Sequence, residues 1–223
     1  MARSVDAPDH PRFILASGSP RRRDLLLGAG FEFDIARPFG AESESRALSM
    51  RELTTLNATR KALEISSVHP DAVVLGADTL VSLDGAVVGK PTDFNDAIRI
   101  HHRLRGRTHQ VCTSVFICEA RARKAVTFFV ISHVTFRVLD DAAIVRYLER
   151  IDPLDKAGAY AAQGDGAEII ESSDGSYTNV VGLPMDETIA ALRDFGVQRR
   201  DHSGAERWQI SSLFPSGSSK KNA

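Results

Sequence analysis

The stretch Val73–Pro91, VVLGADTLVSLDGAVVGKP, decides the fold. It opens on the apolar run Val73-Val74-Leu75, which reads as a strand buried on both faces. The run delivers Asp78 and Thr79 at or near its carboxyl end, where open α/β sheets place their ligands. Asp84-Gly85 then reads as a two-residue hairpin turn, since glycine accepts positive φ without steric cost. The returning strand Ala86–Val88 brings Lys90 back toward Asp78. An acid and a lysine at the ends of one hairpin suit a metal-assisted reaction on a phosphate. A lone aspartate there is more often a turn former or a cap, so the reading depends on partners elsewhere in the chain.

Working outward toward the N-terminus, Phe13–Ala16 is a short strand that runs into Ser17-Gly18-Ser19-Pro20-Arg21-Arg22-Arg23. Gly18 permits a tight turn, Ser19 is placed to cap, and Pro20 is pre-set for the first helical position. A strand, a small-residue turn and a helix start make an anion site, because unpaired N–H groups and the helix dipole face the ligand. Three arginines in the first turn oppose that dipole. A bound polyphosphate resolves the conflict, since guanidinium groups pair with phosphate oxygens two at a time. Neither a Walker loop nor a GxGxxG pattern is present.

Phe31–Ile35 alternates like a half-exposed strand. Pro38–Leu48 is a polar loop carrying Glu42 and Glu44. Ser49 with Glu52 forms a capping box that starts a helix through about Ser67. Leu53, Leu56, Ala62, Leu63 and Ile65 are its expected inward positions, and Lys61 lies beside them.

Beyond the central hairpin, Thr92 or Asp93 caps a helix to about Arg105. Val111–Glu119 and Val126–Val138 read as two long strands. Asp140 caps a helix to about Arg150. The glycine-rich segment Asp155–Ala167 includes Gln163, whose amide can read the edge of a base. Glu168–Ser172 and Ser176–Val180 are expected to form a hairpin across Asp174-Gly175, and Gly182-Leu183-Pro184 opens a last helix to Phe195. His101 and His102 are adjacent, so a helix points them about 100° apart. They read as helix-flank residues rather than a chelating pair.

Composition bounds the function. The chain has 223 residues, 43% hydrophobic and 26% charged, with a net charge of −1. That is ordinary for a globular protein, and it argues against a binder of nucleic-acid polymers or membrane surfaces. No apolar run approaches the roughly 20 residues that span a bilayer. Residues 1–12 read as a frayed leader, without the apolar core of a secretory signal. Cys112 and Cys118 are the only cysteines. On one strand they lie too far apart to bond, and two thiols fit a reducing, cytoplasmic compartment. Residues 199–223 form a polar tail in which Trp208, Ile210, Leu213 and Phe214 are candidates for a docking arm.

Taken together, the pieces resemble a known family. Leu15–Arg22, Gly76-Ala77-Asp78-Thr79 with Gly89-Lys90-Pro91, Gly106–His109, Asp155–Tyr160 with Gln163-Gly164, and Val181–Pro184 are similar, in order, to the motifs of the Maf family, also called septum-formation proteins. The likeness runs from about Phe13 to Phe195, and it implies a single catalytic domain over residues 13–198. It implies an α/β fold with a large curved mixed β-sheet, two lobes and a central cleft, similar to the inosine triphosphate pyrophosphatases. It implies a nucleoside triphosphate pyrophosphatase that uses a divalent cation, Mg²⁺ before Mn²⁺, and acts as a homodimer. Among site residues it implies Asp78 as the catalytic acid, with Lys61 and Lys90. Ser17, Arg21, Thr79 and Gln163 take the substrate. Asp78 holds the metal, assisted by Glu42 or Glu44, with Glu42 favoured. The Asp155–Tyr160 run with Gln163-Gly164 looks like the branch that prefers dTTP and UTP. The competing function is a nucleotide-binding regulator of cell division without turnover.

Overall fold

The computed structural model describes residues 10–45 and 47–200. The expectations for the leader up to residue 9, and for the arm at Trp208, Ile210, Leu213 and Phe214, lie outside the described residues.

The elements in chain order are β1 (Phe13–Ala16), α1 (Pro20–Gly28), β2 (Asp34–Ile35), α2 (Met50–Val68), β3 (Val73–Leu83), β4 (Ala86–Val88), α3 (Phe94–Leu104), β5 (Thr108–Glu119), β6 (Lys124–Phe136), α4 (Asp141–Leu148), α5 (Gly166–Ile169), β7 (Ile170–Asp174), α6 (Tyr177–Val181) and α7 (Met185–Asp194). A short 3-10 turn at Ala157–Ala159 sits between α4 and α5. Seven strands form one mixed sheet in the order β2-β1-β3-β5-β6-β7, with β4 beside β3. β1, β2 and β3 run parallel, and the remaining pairs are antiparallel. This is the α/β class expected, with helices on both faces of a mixed sheet.

The two faces of the sheet bury different things. On one, Ile14, Val74 and Cys118 pack against Ala62 and Ile65 of α2. On the other, Leu15, Val73, Leu75, Ala77 and Val115 pack against α1 and α7. Further along that second face, Val81, Leu83, Val111 and Phe136 pack against α3 and α4. Alternation along each strand sorts the residues between these faces.

α2 starts as the sequence indicates: Ser49 accepts from the Glu52 N–H, and the Glu52 carboxylate accepts from the Ser49 N–H. Its inward face differs from the expected one. Leu56 and Leu63 are exposed, while Thr54, Asn57, Ala58 and Ala62 are buried. The reason is Gly76. A Cβ there would sit 2.3 Å from the Ala58 carbonyl oxygen and 2.8 Å from the Ala62 nitrogen. α2 therefore lies directly on β3 through small residues, and the leucines turn outward.

Asp78 is not at the end of its strand. β3 continues to Leu83 and turns at Asp84 and Gly85, both with positive φ, into β4. The end that matters is that of β1, whose last pair is Ala16 with Gly76. β4 pairs with β3 only from Val81 to Leu83, and β5 fills the opposite edge of β3 from Val74 to Ser82. The segment Ala77–Leu80 thus lies between two neighbours on one edge and has no strand beside it there.

The expected strand at Phe31–Ile35 is reduced to β2, with Phe31 buried and bridged singly to Arg199. The expected second strand at Ser176–Val180 is α6, whose cap is the Ser176 hydroxyl accepting from the Asn179 N–H.

Candidate active site

A cleft of about 1060 Å³ opens where β1 ends, between the start of α1 and residues 37–45 on one side and β4 with residues 155–162 on the other. Asp78 and Thr79 form part of its floor. Because neighbours on a strand face opposite ways, Asp78 points toward α2 and Thr79 toward α1 and α6.

On the α2 side, Lys61 reaches both carboxylates. Its Nζ lies 2.5 Å from Glu42 Oε1 and 2.7 Å from Asp78 Oδ1, and it donates to the Ala77 carbonyl at 3.3 Å. Lys90 adds a longer contact to Glu42 Oε2 at 3.4 Å. Burial pushes the Glu42 carboxyl up, but Lys61 and Lys90 outweigh it and hold it down to about 2. Glu42, rather than Glu44, is therefore the carboxylate that pairs with the two lysines, although Glu44 also lines the cleft. The loop carrying Glu42 is held by α2: Asn57 bonds both main-chain groups of Ser43, and Glu64 accepts from the Phe39 and Gly40 N–H groups.

On the α1 side, the three arginines part company. Arg23 pairs with its neighbour Asp24 at the surface. Arg21 reaches into the cleft and pairs with Asp155 at 3.1 Å. Lys156 also pairs with Asp155. Burial raises that carboxyl, and Lys156 and Arg21 together hold it below its usual range. Arg22 is buried. Its guanidinium donates to the Gly182 carbonyl at 2.8 Å, to Thr79 Oγ1 at 3.0 Å and to Ser17 Oγ at 3.2 Å. Burial lowers its pKa, opposed by the charges of Asp78 and Glu42.

The partners of Ser17 and Thr79 fix the polarity of their hydroxyls. Ser17 Oγ accepts from Arg22 Nη1 and from the Ser19 N–H, both pure donors. Its own hydrogen is left for an acceptor, such as a phosphate oxygen. Thr79 is the reverse. Its Oγ1 accepts from Arg22 and lies 2.9 Å from Thr113 Oγ1. Thr113 donates to the Asn179 carbonyl at 3.0 Å, so the Thr79 hydrogen goes to Thr113 or to the more distant Gly182 carbonyl at 3.4 Å. The hydrogen of Thr79 is engaged within the protein, and only acceptor capacity remains.

Ser19 makes no side-chain cap bond at the start of α1, contrary to expectation; its N–H instead donates to Ser17. The first-turn N–H groups of α1 thus lack a side-chain cap, an arrangement suited to an anion.

Residues 12–195 match the family model described as Maf, Maf-like protein. The chain belongs to the Maf family. It is 45% identical over 186 residues to a dTTP/UTP pyrophosphatase of Bacillus pumilus (strain SAFR-032), covering 83% of this chain and 97% of the relative. It is 42% identical over 194 residues to a dTTP/UTP pyrophosphatase of Hahella chejuensis (strain KCTC 2396), covering 86% and 96%. A third dTTP/UTP pyrophosphatase, of Dictyoglomus turgidum (strain DSM 6724 / Z-1310), is 42% identical over 184 residues, covering 82% and 95%.

Within this Maf cleft the structure gathers Ser17, Arg21, Glu42, Lys61, Asp78, Thr79 and Lys90. Gln163 is exposed and stands outside the lining, next to the lining residue Ala162. Arg22, Asn57 and Asp155 were not singled out by sequence reasoning. Arg22 and Asp155 sit within quoted Maf motifs, so the motif was the available signal. Asn57 had none beyond its spacing of four from Lys61.

Among the described residues there is no group of three or more His, Cys, Asp or Glu side chains suited to a metal. The donor set nonetheless fits a hard divalent cation. Asp78 and Glu42 converge within contact distance of one ammonium group, so their oxygens face a common point. Mg²⁺ binds through one or two carboxylates with substrate phosphates and water completing its shell.

Proposed function

We propose that this chain is a nucleoside triphosphate pyrophosphatase that converts dTTP and UTP to the monophosphate and pyrophosphate, with modified pyrimidine nucleotides as further substrates, in house-cleaning of the nucleotide pool. The observation that carries the reading is the Glu42–Lys61–Asp78 chain facing Arg21 and the open start of α1 across one cleft. Its cationic lining side chains, Arg21, Arg22, Arg37, Lys61, Lys90 and Lys156, outnumber the four carboxylates of Glu42, Glu44, Asp78 and Asp155, which suits a polyanion.

The reaction adds water across the α–β phosphoanhydride, breaking one P–O bond and releasing pyrophosphate. Asp78, held by Lys61 and Asn57, orients the water and takes its proton. Lys61 and Lys90 neutralise charge, Ser17 donates to a phosphate oxygen, and Arg21 turns from Asp155 to the phosphates. Catalysis of this kind is chiefly positioning and charge neutralisation. Asp78 and Glu42 would hold Mg²⁺, with Mn²⁺ the substitute, which when bound polarises the phosphates.

For the base, Thr79 offers an acceptor. Uracil and thymine carry N3–H, a donor; cytosine carries a bare acceptor at the same ring position. Gln163, at the rim beside Ala162, is assigned to the outer edge of the ring. A site built this way rejects a mismatched edge by leaving buried groups unpaired. The catalytic unit is the single domain 13–198, acting as a cytoplasmic homodimer, in keeping with the Maf resemblance. No helix among the described residues is long and apolar enough to cross a membrane.

The test is a panel of dTTP, UTP, CTP, ATP and GTP with Mg²⁺, separating pyrophosphate from orthophosphate. Pyrophosphate from dTTP and UTP, lost in folded Asp78→Asn, is expected. Orthophosphate as the product, or full turnover by that variant, overturns the assignment.

A further inference from the structure

Asn57 lies one helical turn before Lys61 on α2, with 3% of its surface exposed. Residues four apart share a helix face, so both point at β3. Asparagine is a weak helix former, and a buried amide without partners is costly. Here the amide is engaged at both ends. Oδ1 accepts from the Ser43 N–H at 2.8 Å; Nδ2 donates to the Ser43 carbonyl at 3.1 Å and to Asp78 Oδ2 at 3.2 Å. Ser43 directly follows Glu42, so fixing its main chain fixes where the Glu42 side chain departs.

Two side chains thus connect Asp78 to the Glu42 loop, and they do it differently. Lys61 does so by charge, at the end of a flexible stem. Its ammonium is the group that a triphosphate would draw away. Asn57 does so through a neutral amide, with two bonds to the Ser43 main chain and one to Asp78 Oδ2, so a polyanion has no charge on it to draw away. We propose that Asn57 is a positioning residue that keeps the Glu42 carboxylate at a set offset from Asp78, independently of Lys61. The proposal rests on the reading of Asp78 and Glu42 as partners in one site.

The experiment compares the parent, Asn57→Leu, Glu42→Gln and the double variant as full chains, with Asn57→Ser in place of the leucine variant should that one fail to fold. Two quantities are read. The first is amide hydrogen exchange of the segment 40–45, without nucleotide or metal. Asn57→Leu is expected to speed it at least about tenfold while exchange in β3 and β5 stays unchanged. The second is kcat with UTP and Mg²⁺. The Asn57 change is expected to lower it about 10- to 100-fold in the parent, the range typical of groups that orient metal ligands, and no more than about threefold in the Glu42→Gln background. Unchanged exchange in 40–45, or equal fold-losses in the two backgrounds, overturns the proposal. A parent that hydrolyses no nucleoside triphosphate would sink the functional reading instead, and the exchange measurement would still decide whether Asn57 holds the loop.

Discussion

Asp78 and Thr79 are consecutive residues that face opposite sides of β3: the carboxylate meets Lys61 of α2 at 2.7 Å, and the hydroxyl meets Arg22 of α1 at 3.0 Å. One dipeptide therefore faces two walls of the same cleft. In the proposed reading, the α2 side carries the reactive chemistry and the α1 side the ligand discrimination.

Arg22 binds three different oxygens, on Gly182, Thr79 and Ser17, with three of its nitrogens. A lysine keeps the charge but not the planar fork. Arg22→Lys is expected to lower kcat/KM for UTP at least about tenfold, since hydrogen bonds to a charged group are worth about 1.5–3 kcal/mol each. Steady-state kinetics with UTP and dTTP check it; a change under twofold would mean that Arg22 is only packing.

Thr113 touches no ligand in this reading but sets the direction of the Thr79 hydroxyl. Thr113→Val removes the nearer acceptor and leaves only the Gly182 carbonyl at 3.4 Å, a long contact that a ligand acceptor in the cleft can outcompete for the Thr79 hydrogen. The ratio of kcat/KM for UTP over CTP is expected to fall about tenfold, a change of about 1.4 kcal/mol. Thr113→Ser, which restores the hydroxyl, is expected to restore the ratio. A ratio that stays constant across all three proteins counts against the acceptor role of Thr79.

Gly76→Ala places a Cβ 2.3 Å from the Ala58 carbonyl oxygen. The helix must move, carrying Asn57 and Lys61 away from Asp78. Overpacking of this kind costs about 1–3 kcal/mol. A lower Tm together with a kcat loss is expected. Retained kcat in a folded Gly76→Ala protein would show that the contact between α2 and β3 does not set the site geometry.

His109 is buried against Phe136 and Tyr160, with its Nε2 3.0 Å from the Tyr160 hydroxyl. Burial, then the charge of His101, lowers its pKa to about 4. An unfolded histidine titrates near 6.5, so between those values the unfolded chain binds more protons and stability falls as pH falls. Stability should be full above about pH 6.5 and decline toward pH 4, by on the order of 3 kcal/mol from this residue. Urea titrations at several pH values measure it. His109→Gln should flatten part of the decline, leaving the share of His101, whose pKa burial also lowers. An unaltered slope in that variant would refute the assignment.

Much of this was legible in the sequence because it is local. The Ser49–Glu52 capping box, the Asp84-Gly85 turn and the Asp93 cap of α3 each depend on neighbours within a few positions. What was hidden depends on distant contacts. Leu56 and Leu63 read as core until Gly76 is known to admit Ala58 and Ala62 instead. Ser176–Val180 reads as a strand, yet α6 forms because Ser176 caps it and Asn179 is drawn onto β5. The motifs marked the arginine triplet but not the division of labour within it. Arg22 is chosen for burial by oxygens 57 and 160 positions away in the chain.

The gap along one edge of β3, from Ala77 to Leu80, has a consequence for how the site can vary. A bound molecule there meets peptide groups as well as side chains, and peptide groups survive any substitution except proline. Thr79 and Leu80 can therefore be exchanged for other side chains without removing the peptide groups that this edge presents, while Asp78 stays fixed by its role in the proposed chemistry.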